Sequence, residues 1–246
     1  MIRRLAAGAL AWLAIAVPAP AAAAPVDLVN PFMGTEASAP DFGTGGGAGN
    51  TYPGATAPFG MLNWSPDTDP STLNFPGGYT YTDSRIKGFS LTHISGAGCA
   101  AYQDFPVIAT SESIDAAPTK PASADLDSKY LADFSHEQES AEPGYYSVTL
   151  DPGTDSAIRA ELTADVRAGL GRFRFAPGSE QRFLVNAGGS AMANRLAEVA
   201  VDPGAREISG VAESGNFCYQ RPWYKVYFAA RFDRPFAEHG TWRAAS

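Results

Sequence analysis

Residues 145–150 read YYSVTL, and the alternation within these six positions decides the fold. Tyr146, Val148 and Leu150 fall on one side of an extended chain, and Tyr145, Ser147 and Thr149 on the other. That is the period of a half-buried strand, not of a helix. The same period recurs outward. GRFRF at 171–175 alternates Arg172 and Arg174 with Phe173 and Phe175, and WYKVYFAARF at 223–232 sets Val226, Phe228, Ala230 and Phe232 against Lys225, Tyr227 and Arg231. Further strand candidates are AIRAEL at 157–162, RFLVNA at 182–187 and EISGVA at 207–212. Pro and Gly punctuate these runs in EPGYY, DPGTD, APGSE and DPGAR, where Pro presets φ and Gly supplies the left-handed position. Helical periodicity is confined to AMANRLAEVA at 191–200. Many strands with turns at this spacing predict an all-β, antiparallel sandwich or barrel.

The chain has 246 residues, 45% hydrophobic and 18% charged, with 25 Gly and 19 Pro. This suffices for one large core and excludes disorder and collagen-like repeats. A formal net charge of −8 gives no electrostatic attraction to nucleic acid or to an anionic membrane, and favours a neutral or cationic ligand. The first residues place Arg3 and Arg4 before an apolar run from Leu5 to Val17, a Pro18/Pro20 break and small residues at Ala21–Ala24. That order is a secretory signal over residues 1–24, so the mature chain, 25–246, is expected to be exported to the periplasm or beyond. No transmembrane span is expected after cleavage.

The segment from Pro31 to Pro106 is loop-rich and concentrates aromatic, Asp and Asn side chains, as binding loops on a rigid scaffold do. Its glycines at 43–49 lack the spacing of a nucleotide-binding loop, and Pro53 argues against the helix that would follow. Ser95, His93 and Asp104 invite comparison with a catalytic triad, but the G-x-S-x-G setting is absent. His93, His136 and His239 show no metal-ligand spacing. On the expected strand FSLTHI, His93 shares a face with Phe89 and Leu91, which suits a hydrogen-bonded core histidine. Asp67, Asp69, Asp83, Asp104, Glu137 and Glu139 are the acids from which a glycosidase pair could come. Cys99 and Cys218 are the only cysteines; a disulfide and two separate thiols are both open.

Several ordered strings resemble the amino-terminal domain of glycoside hydrolase family 92, the exo-acting α-mannosidases. They are VNPFMGT (29–35), GNTYPGATAPFGMLNWSPDT (49–68), GGYTYTDSRIKGFSLTHISGAGC (77–99), QDFPV (103–107), FSHEQESAEPGYYSVTL (134–150), ELTADVRAGLGRFRF (161–175) and SGNFC (214–218). The resemblance implies a galactose-mutarotase-like β-supersandwich over residues 25–246. In the family this domain is joined to an (α/α)6 barrel that supplies the general acid, the general base and the ligands of a calcium ion, and the active site lies between the two. With Ser246 as its last residue, the chain is expected to lack the barrel and to end before the last strands of the sandwich. No catalytic or metal-ligating residue is therefore expected in it, and no calcium is expected to be bound by it.

What the resemblance leaves to this chain is the positioning of mannose-containing glycans at the domain interface. His93, Ser95, Cys99, Tyr79, Asp83 and Asp104 match the family pattern and are the expected rim, with Trp64 or Phe75 as an aromatic platform. GAGNTYPG and STLNFPGGYTY depart from the His-rich and Trp/Cys-bearing stretches of many members, where the sugar beyond the cleaved bond is held. Two other expectations compete: a stand-alone carbohydrate-binding module, and an independent secreted hydrolase using an acid pair or Ser95 with His93.

Overall fold

The YYSVTL segment forms a strand whose apolar face is fully buried: Tyr146, Val148 and Leu150 are 0–2% exposed, while on the other face Tyr145 and Thr149 are half-buried and Ser147 is buried as well. It is one of twelve strands in a computed structural model that describes residues 23–36, 50–69, 77–96, 101–118, 129–217 and 222–243. The strands are β1 (Ala55–Thr56), β2 (Asn63–Asp69), β3 (Arg85–Ser90), β4 (Val107–Thr110), β5 (Ala132–Glu142), β6 (Tyr145–Leu150), β7 (Ile158–Ala164), β8 (Gly169–Phe175), β9 (Arg182–Val185), β10 (Ala193–Asp202), β11 (Glu207–Gly215) and β12 (Trp223–Arg231). A short 3-10 turn spans Pro25–Leu28. The expected residues Phe75, Cys99 and Cys218, and residues 1–22 of the expected leader, lie outside the described residues.

All pairings are antiparallel. Among the described residues, nine strands form one branched sheet in the order β1-β2-β3-β5-β6-β7-β8, with β4 and β9 branching from β3; β10-β11-β12 form a second sheet. The branch arises because β3 pairs through Arg85 and Ile86 with β5 but through Phe89 with β4. The large sheet thereby turns back on itself, and β1 and β2 lie over β6 and β7. The layers close over a core of Trp64, Ile86, Phe89, Phe134, Tyr146, Val148, Leu150, Ile158 and Leu162. Each such side chain contributes roughly 1.5–3 kcal/mol by leaving water. Trp64 fits because Gly171 has no side chain: a Cβ there would stand 2.4 Å from the indole ring. Phe105, Val185, Ala187 and Ala212, with Val226 and Phe228, form the smaller core under β10–β12.

The structure is thus the expected all-β antiparallel sandwich, and β8 and β12 present the expected faces. Three local expectations are corrected. AMANRLAEVA is not a helix: Ala193–Asp202 is β10, in register with β11 from Ala193↔Gly215 to Asp202↔Glu207. Its Ala, Leu and Glu favour helix locally, but a long hairpin pairing outweighs a propensity worth a few tenths of a kcal/mol per residue. In DPGAR the left-handed position falls on Arg206 (φ +57°), not on the glycine, whereas Gly144 in EPGYY has φ +82° as expected. His93 does not lie on a strand, because β3 ends at Ser90. The chain then turns to meet the 103–104 segment, through Leu91 N to Asp104 O at 2.9 Å and Gln103 N to Thr92 O at 2.8 Å.

Candidate functional site

Alternation along β2 puts Ser65 and Asp67 on the face opposite Trp64, and both have zero exposure. A buried carboxylate must be paired, and Asp67 is. Its Oδ2 accepts from Ser90 N at 3.2 Å and from the Ser90 hydroxyl, and its Oδ1 lies 3.1 Å from His93 Nε2. His93 Nδ1 lies 2.7 Å from Asn63 O. Both ring nitrogens therefore face acceptors, and a proton must reside on each or be shared with Asp67. The Tyr52 ring stands 5.0 Å from the imidazole. Burial holds its phenol above the ordinary range, opposed in part by the nearby Thr56 and Ser95 side chains. Ser95 is exposed. A connected line, Ser95 to Tyr52 to His93 to Asp67 to Ser90, thus runs from the surface to a buried charge.

A second buried carboxylate, Asp104, stands in a strained segment, where Tyr102, Gln103 and Phe105 all have positive φ (+60°, +53° and +53°). Non-glycine residues adopt such angles only when their surroundings enforce them. Asp104 does much of the enforcing. It accepts from Thr92 Oγ1 at 2.8 Å, from Tyr224 OH at 3.0 Å and from the Ser190 hydroxyl, and its own N–H donates to Thr92 Oγ1 at 2.9 Å. Ser190 in turn meets Ser214 Oγ at 2.7 Å and accepts from Asn194 Nδ2 at 2.9 Å. The knot ties the 101–106 segment to the β10–β12 sheet. Burial, and next the Asp104 charge, push the Tyr224 phenol up.

A third, Glu139, lies on β5 opposite Val148 of β6, with its side chain 1% exposed. It accepts from Tyr79 OH at 2.9 and 3.0 Å and from Tyr146 OH at 2.6 Å, and lies 2.6 Å from His136 Nδ1. The His136 ring stacks on Tyr81 at 3.9 Å. Burial, then the Glu139 charge, raise the phenols of Tyr79 and Tyr146.

The structure thus divides the expected rim. Ser95 reaches the surface and Asp83 is half-buried, accepting from Thr68 Oγ1 at 2.7 Å. His93 and Asp104 are buried supports close behind the surface. Tyr79 and Trp64 sit in the core, the first on Glu139 and the second donating its indole N–H to Phe89 O at 3.1 Å. The Ser95, His93 and Asp104 side chains form no triad, since His93 pairs with Asp67 and the serine on that carboxylate is Ser90. Sequence reading did not find the roles of Asp67, Tyr52 and Ser190. For Asp67 the S-x-D alternation in β2 was an available signal.

Calcium is the metal that the resemblance implies. Among the described residues, no three His, Cys, Asp or Glu side chains group so as to hold a metal. Asp67, Asp104 and Glu139 each face hydroxyl or imidazole groups that fill their coordination. These residues do not fit a calcium ion.

Comparison with known proteins agrees with this geometry. A family model, the glycosyl hydrolase family 92 N-terminal domain, matches residues 28–246. The solved structure of a family GH92 α-mannosidase from Bacteroides thetaiotaomicron superposes with a TM-score of 0.71 at 32% identity, over 86% of this chain and 26% of that one. A family GH92 inverting mannosidase of the same organism gives 0.62 at 30% identity, over 86% and 25%. An uncharacterised secreted glycosidase of Arthroderma benhamiae is 35% identical over 135 residues, which is 54% of this chain and 16% of that protein. The chain spans about a quarter of the length of the two solved relatives. Among the described residues, no helix is long and apolar enough to cross a membrane. With the family model matched over nearly its whole length, the chain belongs to glycosyl hydrolase family 92, as that family's N-terminal domain.

Proposed function

We propose that this chain is the sugar-positioning domain of an exported, inverting exo-α-mannosidase, and that it acts with a second domain, an (α/α)6 barrel, that supplies the proton-transferring carboxylates and calcium. The observation that carries the reading is the likeness to GH92 α-mannosidases over 86% of this chain but 26% of theirs. Inverting hydrolysis needs one carboxyl group to protonate the leaving oxygen and a second, on the opposite face, to activate water. The three buried carboxylates described above are occupied by donors and remote from solvent, so none is poised for either task. Their work is to fix backbone: Asp67 and His93 hold the start of β2 against the 91–95 segment, and Asp104 holds the 101–106 segment. Between these supports, Ser95, with Tyr52 behind it, is offered to a mannose hydroxyl. His93 and Asp104 act behind that contact.

The test is hydrolysis of an aryl α-mannoside and of α-linked mannobioses by the purified chain, first with calcium and then with chelator. The expected result is no turnover from a preparation whose circular dichroism shows folded β-structure. Calcium-dependent turnover by this chain alone would place the catalytic carboxylates within it and overturn the division of labour.

A further inference from the structure

Residues 57–60 read APFG, and their turn puts an aromatic residue where the backbone favours glycine. Gly60 N donates to Ala57 O at 2.9 Å, which closes the turn. Pro58 presets its second position, and Phe59, at the third, has φ +59°. Turns with a positive φ at that position normally use Gly or Asn, which bear it without strain. Phe59 bears it while its ring gains no burial, for the residue is 104% exposed.

The neighbours are of the same kind. Pro58 is exposed, Met61 is 61% exposed and Val166 49%. Met61 N donates to Val166 O at 2.7 Å, so the turn and the β7–β8 connection form one surface. Exposed Asp165 and Arg167 flank Val166 as a polar rim. Contiguous exposed apolar side chains with an aromatic and a methionine mark a protein contact, and a strained exposed residue persists where function requires it. The patch also lies close to the candidate site along the chain, since the turn follows β1 (Ala55–Thr56), which ends four residues beyond Tyr52.

We propose that Pro58, Phe59, Met61 and Val166 are the surface on which a second protein domain of the same polypeptide packs, with Phe59 as its anchor. This rests on the two-domain reading above. A protein occupant fits better than a sugar: these four side chains carry no hydroxyl, amide or charged group to grip hydroxyls. Moreover, most of the solved relative's chain lies outside the 26% matched here.

Two measurements test it. In heat denaturation of the chain, Phe59→Gly is expected to raise the midpoint by ~2–4 °C, because strain is removed and no contact is lost. In calorimetric titration, the probe is the unmatched portion of the Bacteroides thetaiotaomicron α-mannosidase. The unsubstituted chain is expected to bind it, and the double variant Phe59→Ser with Met61→Ser to bind at least about tenfold more weakly. Equal binding by the double variant would overturn the patch while leaving the two-domain reading intact. No complex with the unsubstituted chain would overturn that reading and the proposal together. A lowered midpoint for Phe59→Gly would show that this chain's own packing holds Phe59, and would remove its role as anchor.

Discussion

Removing the His93 imidazole should cost far more than neutralising its partner. Both side chains of the His93–Asp67 pair have zero exposure. In His93→Ala, Asp67 Oδ1 loses the His93 Nε2 contact while the carboxylate stays out of water, and breaking a buried pair from one side costs about 3–5 kcal/mol. The Asn63 carbonyl also loses the Nδ1–H bond, worth about 1 kcal/mol. For a domain of ordinary stability, about 5–15 kcal/mol, this is a large share. The midpoint of heat unfolding should fall by roughly 10–20 °C, at about 2–4 °C per kcal/mol. Asp67→Asn is different. Its amide N–H can donate to a neutral His93 Nε2 while its carbonyl still accepts from Ser90, so every group keeps a partner and the cost should stay below about 1.5 kcal/mol. Urea unfolding followed by near-ultraviolet circular dichroism measures both variants. The reasoning fails if His93→Ala loses less than about 1 kcal/mol, or if Asp67→Asn costs as much as His93→Ala.

Three further outcomes are expected. Tyr79→Phe should cost about 1.5–3 kcal/mol in the same unfolding assay, because it removes a hydrogen bond to the Glu139 carboxylate in the core. Leu162→Ala, at a position with zero exposure in the main core, should cost about 2–5 kcal/mol. Glu161 is drawn down to about 2, first by its hydrogen bond to Arg172 and then by other partners including Tyr145 and Arg174. A depressed folded-state value gives stability that is present above the unfolded value of about 4.3 and lost as pH falls towards 2. Unfolding midpoints measured from pH 6 down to 2 should therefore fall less steeply in Glu161→Gln, although such a partly solvated pair is worth no more than about 1 kcal/mol.

The sandwich was legible wherever burial alone set the pattern, as in YYSVTL, GRFRF and WYKVYFAARF, because one buried face imposes a period of two. It was illegible in β10, whose Ala, Leu, Glu and Arg are good helix formers and become a strand only through β11. Around the expected rim, individual residues were legible but their partners were not. His93 stood out, but its partner Asp67 lies 26 positions away. Asp104 stood out too, but Ser190 and Tyr224, which bind its carboxylate, lie 86 and 120 positions away. Tyr79 entered the expected rim by matching the family pattern, and Trp64 as a candidate aromatic platform beside it. The fold turns both inward, where Glu139 and the Phe89 carbonyl satisfy their polar atoms.

The central claim, that this domain offers a sugar contact at Ser95 and Tyr52 while His93 and Asp104 act from behind, is tested most directly by titrating the isotope-labelled chain with methyl α-mannoside and following amide resonances. The account predicts saturable shifts centred on Ser95, Tyr52 and Thr56, with Trp64, Tyr79 and the β10–β12 sheet unmoved. Shifts centred elsewhere, or none at millimolar sugar, would contradict it.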